Sequence, residues 1–109
     1  MKINIVITTS FPALHNWPDC NIPEMDFIKN THRHVFHVTI KIGVSPKDRD
    51  IEFISKKDEI ESYISEMWWN KDLGSSSCEN LATQLYRKFN ANYVLVSEDG
   101  ENGAEVYND

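Results

Sequence analysis

Two histidines two residues apart, His32 and His34, run straight into the apolar-alternating stretch Val35-Phe36-His37-Val38-Thr39-Ile40-Lys41-Ile42. On an extended strand that spacing puts both imidazoles on one side of one element. Neutral imidazole is the commonest protein ligand for zinc, and a strand-held pair needs only a third from elsewhere. His15 is the candidate. All four histidines of the chain lie between positions 15 and 37. The competing reading of the pair is two exposed loop histidines with no metal.

The elements that must hold these residues can be taken in order. Residues 2–10 read as a strand, with Ile3, Ile5 and Ile7 on one side and Asn4, Val6, Thr8 and Ser10 on the other. Pro12 is expected to end its pairing. Residues 16–31 are polar and aperiodic, carrying Pro18, Cys20 and Pro23, and read as a loop whose length favours a functional role. A second strand spans about 34–44, followed by a charged turn over 45–50 and a brief extended piece over 51–54. Ser55 is the expected N-cap of a first helix, with Asp58 in the capping-box position and Ile60, Tyr63, Ile64, Met67 and Trp68 on its apolar face. Ser76 and Glu79 form the expected capping box of a second helix, which aligns Cys78, Leu81, Ala82, Leu85 and Phe89. A third strand covers 93–98, a hairpin turn 99–103, and a short fourth strand 104–107. The expectation is an α+β domain over residues 1–109: a four-stranded antiparallel sheet with two helices on one face, in the order ββααββ. Its first and last strands leave open edges, which favours edge-to-edge assembly.

Composition narrows the function. At 109 residues the chain is one domain by size, short for a self-contained enzyme with a deep pocket, so an oligomer with sites between subunits is expected. A net charge of −6, with 11 Lys and Arg scattered along the chain, gives no basic footprint for nucleic acid. No apolar run approaches a membrane span, and no basic-then-apolar leader opens the sequence, so the cytoplasm is the expected compartment. Cys20 and Cys78 are expected as free thiols there.

Five stretches carry a family resemblance. Phe11-Pro12-Ala13-Leu14-His15 resembles the Phe-x-Ala-x-His that closes the first strand of the 6-pyruvoyltetrahydropterin synthase family, which includes the 6-carboxytetrahydropterin synthases of queuosine biosynthesis. His32-Arg33-His34-Val35-Phe36-His37-Val38 resembles its His-Gly-His-Asn-Tyr-x-Val, and Ile51-Glu52-Phe53 its Val-x-Asp-Phe. Ser76-Ser77-Cys78-Glu79-Asn80-Leu81-Ala82 is similar to its Pro-Thr-x-Glu-Asn-Leu-Ala. Val94 to Glu98, with Ala104-Glu105-Val106-Tyr107 beyond the turn, is similar to its strand ending in Glu-Thr and closing hairpin. The resemblance implies the tunnelling fold, in which subunits join edge to edge into a β-barrel as a trimer or a stacked hexamer. It implies zinc on His15, His32 and His34, and a pterin or purine-like ligand anchored by Glu98 with Ser77 in contact. It also implies carbon–oxygen lyase chemistry on dihydroneopterin triphosphate.

The sequence departs from that pattern where the family keeps its acid–base groups. The reactive cysteine four residues before the histidine pair is replaced by Ile28. The Asp-His pair after the first helix aligns with Met67-Trp68-Trp69, whose side chains move no proton at neutral pH. Cys20 is the candidate substitute if the 23–31 segment folds back toward the histidines. Without one, the chain reads as a catalytically inactive pterin- or purine-binding homologue. His37 is expected on the opposite side of its strand from His34, Trp68 in the core, and Trp69 free to stack on a ring or a neighbouring subunit.

Overall fold

Alternation of apolar side chains at every second position drives two long strands together. In the computed structural model, which describes residues 1–108, β1 (Ile3–His15) and β2 (His32–Val44) pair antiparallel along their whole length, from Ile3 opposite Val44 to His15 opposite His32. β3 (Tyr93–Glu98) pairs with the middle of β2, and β4 (Asn102–Tyr107) pairs with β3, giving the sheet order β1-β2-β3-β4. Odd positions of β1 and even positions of β2 and β3 point to one face. There they meet the helices α1 (Phe53–Met67) and α2 (Cys78–Lys88). Ile7, Phe11, Phe36, Val38, Ile40, Val94 and Val96 pack on Ile60, Ile64, Trp68, Leu81 and Leu85 in one core. The expected α+β architecture with a four-stranded antiparallel sheet is present. Among the described residues, no helix is long and apolar enough to cross a membrane.

Pro12 does not end the first strand. A residue in an antiparallel strand sends its N–H and C=O the same way, and those of Pro12 face away from β2. Its carbonyl accepts from the Asn70 N–H at 2.7 Å, while its missing N–H falls on the outer edge where no ladder bond is lost. The strand therefore continues to His15. Its terminal part is covered by the segment after α1: Leu14 bonds Lys71 and Leu73, and Asn16 bonds Gly74. The second strand likewise starts earlier than expected, at His32. The 16–31 connection is not wholly irregular, because Pro23–Ile28 form a short 3-10 turn opened by a proline in its first turn.

Both helices are capped by residues other than those expected. Glu52, not Ser55, caps α1: its carboxylate accepts from the Ile54 N–H at 3.0 Å and the Ser55 N–H at 2.7 Å. These two bonds hold the Glu52 carboxyl below the usual range. One carboxylate satisfying two orphan donors at the positive end of the helix outcompetes a single hydroxyl, so the helix starts at Phe53, inside the expected extended piece over 51–54. At α2 the cap is Ser77, whose hydroxyl accepts from the Asn80 N–H at 3.1 Å, so the expected Ser76–Glu79 box does not form. Finally, Gly103 lies inside β4 rather than in the turn. A Cβ there would come within 2.2 Å of the Val96 carbonyl oxygen, so close strand approach is what requires glycine.

Phe11 is fully buried between Phe36, stacked at 5.3 Å, and Trp68 at 5.4 Å. Phe11→Ala is expected to cost about 3–5 kcal/mol in a urea melt, the usual loss for a large aromatic cavity.

Candidate metal centre

The β1–β2 register places His15 directly opposite His32, with Ala13 opposite His34. All three histidines occupy positions on the helix-covered face, so their rings converge at the end of the ladder. Centroids are 4.6 Å apart for His15 and His32, 4.9 Å for His32 and His34, and 5.3 Å for His15 and His34. The fully buried Phe36 ring supports them from below, edge-on to His15 at 5.3 Å and to His34 at 5.9 Å.

Each ring is oriented by a bond to one nitrogen. His15 Nδ1 lies 2.8 Å from the Ser76 carbonyl oxygen, His32 Nδ1 2.8 Å from that of Asn30, and His34 Nδ1 2.6 Å from Asp99 Oδ2. Carbonyls and carboxylates only accept, so in every case Nδ1 carries the hydrogen and donates. In the neutral ring, each Nε2 then keeps a free lone pair. The three histidines each offer a ring nitrogen, and these ligand atoms lie within 4.8 Å of one another.

Glu98, the last residue of β3, pairs with Phe36 and points to the same face. Its carboxylate straddles two rings, with Oε1 3.3 Å from His15 Nε2 and Oε2 3.3 Å from His34 Nε2. Neither contact is a hydrogen bond, and His15 Nε2 is a buried nitrogen with no hydrogen-bond partner. Lone pairs facing carboxylate oxygens in a half-buried site repel unless something positive lies between them. Three imidazole nitrogens, outer hydrogen bonds on each ring and an adjacent carboxylate suit a divalent ion of the zinc, copper, iron or nickel type. On these grounds the residues present fit a metal.

The remaining candidates sort differently. Cys20 is buried, its thiol turned toward the carbonyls of Ile22 at 4.0 Å and Met25 at 3.9 Å, and it is outside the histidine group. The 23–31 segment therefore does not deliver it as a substitute cysteine. Ser77 spends its hydroxyl on the helix cap. Trp68 is in the core against Phe11 and Tyr63, Trp69 is exposed, and His37 is exposed on the outer sheet face, as expected for all three.

Two residues were not anticipated. Asp99 was legible only as a turn residue. Its other oxygen accepts from the Val35 N–H at 2.9 Å, and that bond, with the His34 ring second, holds its carboxyl below the usual range. Cys78 was read only as part of an apolar helix face, yet its thiol lies 4.0 Å from Glu98 Oε1. The sequence carries no local signal for either, since both reach the site across sixty or twenty positions of chain. No family model matches this chain, and no curated protein matches it.

Burial, then the charges of Glu98 and Glu79, push the Cys78 thiol from 9.0 up to about 12. Because the folded value is raised, the proton's contribution to stability is complete below about pH 9 and is lost as pH climbs toward 12. Cys78 is expected to react with iodoacetamide at pH 8 at least ~10-fold more slowly in the folded protein than in urea. Peptide mapping by mass spectrometry reads Cys78 separately from Cys20, and equal rates in both states would contradict a buried, protonated thiol.

Proposed function

We propose that this chain is a zinc-binding tunnelling-fold protein that holds a pterin or purine-like ligand beside the metal without turning it over. The reading is carried by one observation: ring nitrogens of three histidines lie within 4.8 Å of one another while every Nδ1 is committed to an acceptor. His15, His32 and His34 would hold the zinc, leaving a coordination position open to a ligand oxygen. When bound, the ion supplies Lewis-acid polarisation of that oxygen.

Glu98 would anchor the ligand, since one carboxylate accepts two parallel donors from an aminopyrimidinone edge. Its side chain is about one-third exposed at the rim of the histidine cluster, accessible enough to exchange the His15 and His34 contacts for a ligand. The resemblance to 6-pyruvoyl- and 6-carboxytetrahydropterin synthases supports this ligand class. It also supports an assembly in which the open edges of β1 and β4 meet between subunits, giving a cytoplasmic trimer or hexamer.

Lyase action on dihydroneopterin triphosphate is the second reading, and the side chains around the centre weigh against it. By the resemblance, Ile28, Trp68 and Trp69 stand where the family keeps its proton-transfer groups, and Trp68 is built into the core. Cys78, the thiol nearest Glu98, keeps its proton at neutral pH. Proton abstraction needs a group poised near the working pH, and Cys78 is not one.

Purified protein is expected to carry one zinc per chain by elemental analysis, and His32→Ala to lose it. Full occupancy in His32→Ala would make the metal assignment wrong. Zinc-loaded protein is expected to bind dihydroneopterin triphosphate, with Glu98→Ala weakening binding at least ~10-fold through two lost charge-assisted bonds. Release of triphosphate from that compound would overturn the non-catalytic reading in favour of the lyase.

A further inference from the structure

The three histidines are not supported alike. His15 and His32 donate to neutral backbone carbonyls, whereas His34 donates to a carboxylate, at the shortest of the three distances. That carboxylate belongs to Asp99, the first residue of the β3–β4 turn, which sits in the left-handed region with φ of 55°. Asp99 is fixed at three points. Its backbone N–H donates to the Val35 carbonyl at 2.7 Å, its Oδ1 accepts from the Val35 N–H at 2.9 Å, and its Oδ2 takes the His34 ring. Both main-chain groups of Val35, next to His34 on β2, are therefore held by one turn residue. The carboxylate has no freedom to rotate away from the ring.

We infer that Asp99 is the positioning residue of the metal centre. It fixes the hydrogen of His34 on Nδ1, keeps the Nε2 lone pair for the metal, and tightens the metal by holding the ring in place with a carboxylate. The inference rests on the metal-binding reading above and goes beyond it by assigning the control of affinity to a residue that touches no metal.

A carboxylate is needed for a specific reason. Two donors, the Val35 N–H and the His34 Nδ1–H, approach two different oxygens. An asparagine has one acceptor oxygen and one NH2 group. With its oxygen kept on Val35, its NH2 faces His34 Nδ1, which must then accept. The ring hydrogen moves to Nε2, and the lone pair needed by the metal is lost. Charge acts in the same direction. With three neutral imidazoles, Asp99 and Glu98 together supply the two negative charges that balance a divalent ion, and losing one lowers affinity for the cation. Replacement of such outer carboxylates costs 10–100-fold in metal affinity.

The test compares Asp99→Asn with Asp99→Gly. Glycine accepts the left-handed φ without strain and leaves His34 free to take either tautomer. Zinc affinity, measured by competition with a chromophoric chelator, is expected to fall ~10–100-fold in Asp99→Asn, and by less in Asp99→Gly. A turn-forming role alone gives the opposite order, because asparagine is itself favoured at such a turn position and keeps one of the two side-chain bonds.

The second readout needs no metal. In zinc-free protein, two-bond proton–nitrogen correlation spectra of the His34 ring are expected to show the hydrogen on Nδ1 in the wild type and on Nε2 in Asp99→Asn. Zinc affinity in Asp99→Asn within twofold of wild type, or an unchanged His34 tautomer, would overturn the inference. The two failures separate cleanly. If wild-type protein binds zinc and His32→Ala does not, unchanged binding by Asp99→Asn removes only the role of Asp99. If wild-type protein binds no zinc, the metal reading falls, and the role of Asp99 in affinity falls with it.

Discussion

Everything in this molecule depends on the register of the β1–β2 ladder. With side chains alternating faces, a slip of one residue would turn Ile7, Phe11 and Ala13 out to solvent and carry His15 away from His32. The apolar pattern that fills the core therefore also aligns the histidines. Phe36 is where the two demands meet: it stacks on Phe11 in the core and presents its ring edge to His15 and His34 above. The core thus brings the three rings together, and the hydrogen bonds on each Nδ1 orient them.

The same economy explains what the centre can and cannot do. Two ring nitrogens, one of them buried without a hydrogen-bond partner, are costly to leave as lone pairs facing a carboxylate, and a cation relieves that cost. A metal would thus stabilise the fold at its most polar buried point. Trp68 closes the core against Phe11 and Tyr63, and Cys20 is turned toward the carbonyls of its own loop.

The sequence was most informative where a single physical rule decided the outcome. Strand alternation located the core face and put His32 and His34 on one side of their strand, because period two leaves little freedom once one face is buried. It was least informative where the outcome depended on a neighbour distant in sequence. Pro12 reads as a strand breaker until the sheet order shows its nitrogen on an open edge. Ser55 reads as a cap until Glu52 is found reaching two N–H groups at once. Asp99 reads as a turn residue because its partner, His34, lies 65 positions earlier and only the β2–β3 pairing brings the two together. Gly103 reads as part of the same turn, though what demands it is the Val96 backbone pressed against it.

Two of the three ring supports are main-chain oxygens, those of Ser76 and Asn30. A carbonyl is carried by whatever residue occupies the position, so substitution at 30 or 76 leaves these acceptors in place as long as the chain keeps its path. Most of the outer support is therefore inherited through backbone shape and is insensitive to side-chain drift. The support of His34 alone is written in a side chain, and a single codon change can remove it. Among descendants of this chain, the centre would be robust at two corners and adjustable at the third, which gives mutation a way to tune it without dismantling it.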